Sequence, residues 1–151
     1  LSIKTIFESA GLPIILSEDI RGYIWGKLAA SAGINAITAL LGIRNGDILS
    51  NSSFKQLVIA AANETVDVAL AQGIDIPYEI SEFVHKVILS TSENISSMLQ
   101  DMIRGAPTEI EAINCSITRI GIDLGIPVPI NSMLCDLVRS AINTGDNNEN
   151  T

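Results

Sequence analysis

The stretch SEDIRGYIWGKLAASAGINAITALL, residues 17–41, decides the fold of this chain. It contains the only tryptophan, and its apolar residues recur at the three- and four-residue spacing of an α-helix. Because an α-helix turns by about 100° per residue, Lys27, Ser31 and Asn35 share one face. The stretch therefore predicts a long, mostly apolar helix that carries a polar stripe with one cation.

The polar stripe has two interpretations. A lysine on a solvated helix face keeps its ammonium in water while its stem covers apolar surface, and periodicity alone favours this structural role. A half-buried lysine would instead act as an acid or bind an anion, because desolvation changes its proton affinity readily. Unpaired polar groups are costly to bury, so in this second case either the protein or a ligand must satisfy the stripe.

Composition narrows the possible functions. The 151 residues are enough for one domain with its own core, and 47% of them are hydrophobic. The net charge of −8 argues against nucleic-acid partners, which bind to basic faces. No uninterrupted apolar run approaches the length of a membrane span, and no secretory signal precedes the first helix. We therefore expect a cytoplasmic protein without a membrane partner.

The single histidine and the two cysteines supply no metal site. Cys115 and Cys135 both lie in apolar helical patterns. Free cysteine is among the most buried residue types, and cytosolic proteins rarely form disulfides. We therefore expect two reduced, buried thiols.

The apolar periodicity predicts an all-α fold. We expect a connecting segment over residues 1–16 with a short helix at 2–10, a helical domain over 17–143 with about six helices, and a polar tail over 144–151. Within the domain the predicted helices are 17–41, 53–72, 81–89, one from about 95, 108–124 and 132–142.

Local signals predict where three of these helices begin. Ser17 and Asn131 are predicted N-caps, since short polar side chains accept hydrogen bonds from free N–H groups. Thr108 and Glu111 have the spacing of a capping box, in which each side chain bonds the other's backbone. Each of these residues therefore has a structural interpretation.

Three further places carry polar groups with more than one use. The polar residues 94–97 precede a helix and are either caps or an anion site. Glu109 is left unexplained by the capping box, although most first-turn glutamates simply suit the helix dipole. The turn at Arg44, Asn45 and Gly46 is a surface loop by default. Without any resemblance, the residues predict an α-helical domain with a candidate anion pocket.

At these same places the chain resembles the ketopantoate reductase (2-dehydropantoate 2-reductase) family, in its C-terminal domain. The matching stretches, in order, are EDIRGYIWGKLAASAGINAITALLG, RNGDIL, STSENISSMLQD, PTEIEAIN and LGIPVPINSMLCDLV. The resemblance implies an all-helical domain similar to the C-terminal domains of 6-phosphogluconate dehydrogenase-like proteins. In the family this domain follows an N-terminal Rossmann domain that binds NADPH. No G-x-G-x-x-G motif occurs here and the chain starts at Leu1 without a methionine, so we expect that domain to be missing.

The resemblance also implies an activity and a set of site residues. The family reduces 2-dehydropantoate to pantoate, in pantothenate and coenzyme A biosynthesis, with hydride from NADPH. Lys27 matches the catalytic lysine, which polarises the ketone and protonates the developing alkoxide. Positions that match substrate-binding residues are Asn35, Asn45 and Ser97, while Glu109 matches the glutamate that closes over cofactor and substrate. Ser31 stands at a substrate-binding position where the family commonly has asparagine.

Two alternatives remain beside this reductase. One is a helical dimerisation or interaction module without a catalytic role, which the low surface charge and the apolar helix faces allow. The other is a related reductase of another branched 2-keto acid, which the departure at Ser31 keeps open. For the enzyme we expect three partners: a small anionic 2-keto acid, the chain's own Rossmann domain and a second copy in a homodimer. The chain alone is expected to be inactive and to bind NADPH weakly.

Overall fold

The computed structural model describes residues 2–148, and side-chain environments as far as residue 143. Within this range the chain is all-helical, which confirms the predicted fold class. The α-helices are α1 (Ile3–Ser9), α2 (Arg21–Leu41), α3 (Ser52–Ala71), α4 (Ile80–Ser90), α5 (Ser97–Ile103), α6 (Asn114–Leu124) and α7 (Pro129–Asn148). Two short 3₁₀ helices occur at Asn45–Ser50 and Glu109–Glu111.

Helix α2 is the centre of the structure and contacts α3, α4, α5 and α7. Its buried residues are mostly alanine and glycine, which let the neighbouring helices approach closely. A Cβ at Gly33 would lie 2.6 Å from the carbonyl oxygen of Val58, and a Cβ at Gly26 would collide with the Tyr78 ring. The helix runs through these glycines without a break. Their role is to let neighbouring residues pack closely against it.

By length and composition alone, α2 is the one helix among the described residues that could cross a membrane. Polar residues interrupt its apolar runs, yet its mean hydropathy is high. In the structure, 56% of its most apolar window is buried inside the protein. The central helix of a packed core can have the same length and hydropathy as a membrane span.

Helix α2 begins at Arg21 and not at the predicted cap, Ser17. The Asp19 carboxylate accepts a hydrogen bond from the Arg21 backbone N–H at 2.9 Å and pairs with its guanidinium at 2.7 Å. These bonds from Arg21 lower the pKa of Asp19 to about 2. The Ser17 hydroxyl instead donates to the Asp19 carbonyl at 2.7 Å, so it stabilises the turn before the helix.

The predicted capping box is wrong. The Thr108 hydroxyl accepts a hydrogen bond from the Ile110 N–H at 3.4 Å, but it starts only the three-residue 3₁₀ helix. Glu111 instead forms two hydrogen bonds with the Arg139 guanidinium of α7, at 2.6 and 2.7 Å. These bonds hold the pKa of Glu111 below its usual value. An ion pair with a distant helix therefore displaced the local cap, and α6 begins only at Asn114.

Helix α7 starts earlier and ends later than predicted. It begins at Pro129, so Asn131 lies inside the helix and is fully buried. The cap comes from α3, where the Glu64 carboxylate accepts the N–H groups of Ile130 and Asn131 at 2.8 and 2.9 Å. The helix runs to Asn148, so most of the predicted polar tail is helical, and residues 149–151 lie outside the described part.

A buried amide network joins α2, α3, α6 and α7. The Asn114 amide donates to the Ala32 carbonyl of α2 at 2.9 Å and to the Asn131 side-chain oxygen at 3.0 Å. The Asn131 amide donates in turn to the Ala61 carbonyl at 3.0 Å and to Glu64 at 2.8 Å. Buried amides are costly unless they are paired, so these bonds fix how the four helices pack.

The cysteine prediction is also wrong, because Cys115 of α6 and Cys135 of α7 form a disulfide. Both are nearly fully buried and their Cα atoms are 5.2 Å apart, within the usual range for a disulfide. Each cysteine did lie on the apolar face of its helix, as the pattern indicated. The apolar faces of α6 and α7 pack against each other, and the pattern within each helix could not show that the two cysteines would meet.

Candidate functional site

A cleft of about 510 Å³ lies between α2 and α4 and is closed at one side by residues 91–100. We call it the α2–α4 cleft. Five of the six candidate site residues line it: Lys27, Ser31, Asn35, Asn45 and Ser97. The chain thus brings together residues that are up to 70 positions apart in the sequence.

The polar stripe of α2 forms one wall of the cleft. Ser31 and Asn35 are half-buried, whereas Lys27 is exposed. None of their three side chains makes a hydrogen bond or ion pair with a described residue. Of the two interpretations of Lys27, the solvated one agrees with its exposure in this chain. The stripe still lines a cavity, where its polar groups are available to a ligand.

Asn45 is held at the cleft by the segment that follows α4. Its amide donates to the Thr91 hydroxyl at 3.0 Å, and its backbone N–H donates to the Asn94 carbonyl at 3.0 Å. The residue is only 7% exposed, so the turn is a docked 3₁₀ helix and not the default surface loop. Among the described residues its side-chain oxygen has no donor. A buried acceptor of this kind is costly unless a donor reaches it.

Two adjacent serines at the start of α5 have different roles. The buried Ser96 hydroxyl accepts the Leu99 N–H at 3.3 Å and a hydrogen bond from the Thr38 hydroxyl of α2 at 2.7 Å. Ser96 is thus the helix cap and joins α5 to α2. Ser97 is exposed, lines the cleft and makes no side-chain hydrogen bond with a described residue. Ser96 therefore takes the capping role, which leaves the Ser97 hydroxyl at the cleft without a partner among the described residues.

Glu109 does not line the cleft. It is an exposed residue of the second 3₁₀ helix, and its carboxylate has no hydrogen-bond partner among the described residues. Of the two predicted helix starts, the one near Asn94 lines the cleft with Lys27 and the one at Thr108 does not. The role of Glu109 remains a prediction.

The wall contributed by α4 was missed. Phe83, Val87 and Thr91 follow one another at four-residue spacing and all line the cleft. Their spacing was visible in the sequence, but an apolar residue at such positions usually belongs to the core. Among the side chains that the structure describes, no group of three His, Cys, Asp or Glu is placed to hold a metal ion.

Comparisons with known proteins agree on one family. The profile described as the ketopantoate reductase PanE/ApbA C terminal matches residues 19–142. The chain is 38% identical to a 2-dehydropantoate 2-reductase of Pyrobaculum aerophilum over 139 residues, which are 92% of this chain and 50% of the relative. It is 36% identical to that of Archaeoglobus fulgidus over 137 residues, 91% of this chain and 46% of the relative. The chain thus spans about half the length of these curated relatives.

Solved structures show the same similarity. A ketopantoate reductase of the PanE/ApbA family from Ralstonia eutropha superposes with a TM-score of 0.83 at 31% identity, over 94% of this chain and 48% of that one. A D-mandelate dehydrogenase solved with NADH and anilino(oxo)acetate gives the same TM-score at 24% identity, over 94% of this chain and 60% of that one. At that identity the second match shows a shared fold only.

Proposed function

The chain belongs to the ketopantoate reductase C-terminal domain family, and from this premise we propose that it is the substrate-binding half of an NADPH-dependent reductase of 2-dehydropantoate. One observation carries the proposal. The α2–α4 cleft gathers Lys27 and several uncharged polar side chains, and those of Ser31, Asn35, Asn94 and Ser97 have no partner among the described residues. Such a set of hydrogen-bonding groups suits a small polar anion.

The chemistry assigned to Lys27 follows from its charge and position. Reduction of a ketone places negative charge on the carbonyl oxygen, and a nearby ammonium stabilises that charge and then supplies the proton. Lys27 makes no ion pair with any described carboxylate, so its ammonium is available to the substrate. A second domain that covers the open side of the cleft would exclude water and strengthen this interaction.

The remaining polar groups match the rest of 2-dehydropantoate, which carries a carboxylate and a primary hydroxyl besides the ketone. The Asn35 amide and the Ser31 and Ser97 hydroxyls can donate hydrogen bonds to oxygen atoms of the substrate. The unpartnered oxygen of Asn45 can only accept, and because it is buried we propose that its amide turns towards the cleft to meet a donor such as the substrate hydroxyl. Ser31 is shorter than asparagine, so we propose that it reaches the substrate directly or through a water molecule.

The described residues do not fit the cofactor by themselves. They contain no β-strand, and the whole sequence has no G-x-G-x-x-G motif to cradle a pyrophosphate. We therefore propose that an upstream Rossmann domain holds NADPH, which supplies the hydride when bound. Glu109 lies outside the cleft, and we propose that it contacts the cofactor and substrate only when the two domains come together.

The test uses the full-length protein that contains this chain. Lys27→Ala should lower kcat for 2-dehydropantoate by about 10²–10⁴-fold, the usual contribution of a general acid. Lys55→Ala is the matched control, because Lys55 is an exposed lysine of α3 that does not line the cleft. Equal kcat values in the two variants would overturn the assignment, provided that both melt like the wild type.

We also propose that the protein is a homodimer. A ketopantoate reductase from Staphylococcus aureus with the same fold is described as dimeric. On this chain Ile122, Met133 and Leu137 are exposed apolar residues on α6 and α7, where a second copy would bury them. The same surface favours the alternative of a helical interaction module. Sedimentation of the full-length protein decides the oligomeric state, and the activity assay separates the enzyme from the module.

A cytoplasmic location is the last part of the proposal. It is supported by the relatives, which are named for a biosynthetic reductase. The buried disulfide is unusual for that compartment, although intracellular proteins of hyperthermophiles are an exception. Cell fractionation with rapid thiol alkylation tests the location and the state of the cysteine pair together.

A further inference from the structure

The α4 wall of the cleft changes from apolar to polar along the helix. Phe83 and Val87 lie one turn apart, and Thr91 follows after one more turn. The Thr91 hydroxyl donates to the Val87 carbonyl at 2.7 Å and accepts the Asn45 amide at 3.0 Å. The polar groups of this wall are therefore collected at its Thr91 end, and the other end offers only hydrocarbon.

The apolar end is firmly held. The Phe83 ring packs on the Tyr78 ring with 4.5 Å between centroids, and Tyr78 meets Tyr23 of α2 at 6.0 Å. Tyr78 also lies against Gly26, next to Lys27 in the chain. Partial burial, and to a lesser degree the neighbouring Tyr23, raises the pKa of Tyr78. Phe83 thus lines the cleft as part of a fixed surface.

Other apolar side chains extend this surface inside the same cavity. Ala30 and Ile34 of α2 are buried beside the polar stripe, and Ile95 is 37% exposed. Apolar surface that borders a cavity is stabilised when an apolar group displaces the water over it. A ligand that bound only through its carboxylate and ketone would leave this surface wet.

We infer that Phe83 and Val87 are specificity determinants that hold an apolar branch on C3 of the 2-keto acid. This inference rests on the proposed function and adds to it the part of the cleft that recognises the carbon skeleton. The polar stripe and Asn45 recognise the oxygen atoms, and α4 recognises the methyl groups between them.

The experiment compares two substrates in the full-length protein. 2-Dehydropantoate and 4-hydroxy-2-oxobutanoate share every oxygen atom and differ only in the two methyl groups on C3. Removal of a methylene from a fitted apolar pocket typically changes kcat/KM by about 10–200-fold. We therefore expect the wild type to favour 2-dehydropantoate by at least about tenfold in kcat/KM.

Substitutions on α4 should reduce this preference. Val87→Ala removes two methyl groups from the wall, and Val87→Thr keeps its shape but exchanges one methyl group for a hydroxyl. Each should lower the ratio of the two kcat/KM values by about fivefold, and Phe83→Leu should also lower it. Val66→Ala is the matched control, since Val66 is a half-buried helical valine that packs on the core outside the cleft. It should leave the ratio unchanged.

The possible outcomes separate this inference from the proposed function. If the wild type reduces 2-dehydropantoate but the α4 variants keep its preference, or lose activity on both substrates in the same proportion, the inference is overturned and the reductase stands. If the wild type does not reduce 2-dehydropantoate, the proposed function falls and this inference falls with it. Val87→Thr conserves volume, so it provides the test even if Val87→Ala is unstable.

Discussion

Reduction of the disulfide between α6 and α7 should destabilise the domain by an amount that follows from the chain it closes. Cys115 and Cys135 are 20 residues apart, so the bond closes a loop of about that length in the unfolded chain. Loop-closure entropy then gives about 3 kcal/mol of stabilisation at 25 °C. For a domain of this size, 1 kcal/mol corresponds to about 2–4 °C in Tm, so the expected loss is about 6–12 °C.

The assay is thermal unfolding of this chain followed by circular dichroism, before and after reduction with a phosphine. Because both sulfurs are buried, reduction of the native protein should be slow and should accelerate when the domain is partly unfolded. The double variant Cys115→Ala, Cys135→Ala is the control, and its Tm should not respond to the reductant. The reasoning is refuted if mass spectrometry shows the bond intact in the starting protein and the Tm is unchanged after its complete reduction.

Two further predictions concern the half-buried carboxylate of Glu64 and the exposed carboxylate of Glu111. Glu64→Ala removes the acceptor of three hydrogen bonds at the start of α7 and should lower the free energy of unfolding in urea by about 2–4 kcal/mol. The control is Glu82→Ala, which replaces an exposed glutamate in the first turn of α4 and should change stability by less than about 0.5 kcal/mol. Similar losses in the two variants would contradict the capping role of Glu64. The pKa of Glu111 is lowered by its bonds to Arg139, so its stabilising contribution is present above its ordinary pKa of about 4.5 and is lost as the pH falls below that value. The difference in urea midpoint between wild type and Glu111→Gln should therefore shrink from pH 6 to pH 3, and a difference that grows on acidification would refute this.

The helices were predictable from sequence where local periodicity determines them. The stripe of α2 is an example, because a face of Lys27, Ser31 and Asn35 depends only on helical geometry. The helix starts were not predictable in the same way. The cap of α7 is Glu64, which is 66 residues from the nearer N–H group that it accepts. The capping-box spacing at Glu111 is real in sequence, but an arginine on another helix binds that carboxylate.

The candidate site was likewise predictable only where local sequence determines it. Periodicity identified the α2 stripe, local signals singled out the segments that contain Asn45 and Ser97, and the resemblance implied that these two residues bind the substrate. Neither signal pointed to the α4 wall, because Phe83 and Val87 fit the pattern of ordinary core residues. Their placement in a cleft depends on how α4 packs against α2, which is a tertiary property.

The buried amide network has a consequence for the order in which the protein becomes functional. Asn114 binds the Ala32 carbonyl of α2 across 82 residues, and Asn131 binds Ala61 across 70. The helix that carries the cleft stripe therefore leaves the ribosome long before the residues that fix its position. Because non-local contacts form only after a costly chain closure, we expect α2 to stay loosely packed in a nascent chain until α6 and α7 emerge. A chain shortened at its C-terminus would then lose the α2–α4 cleft, although the polar stripe that lines it belongs to α2.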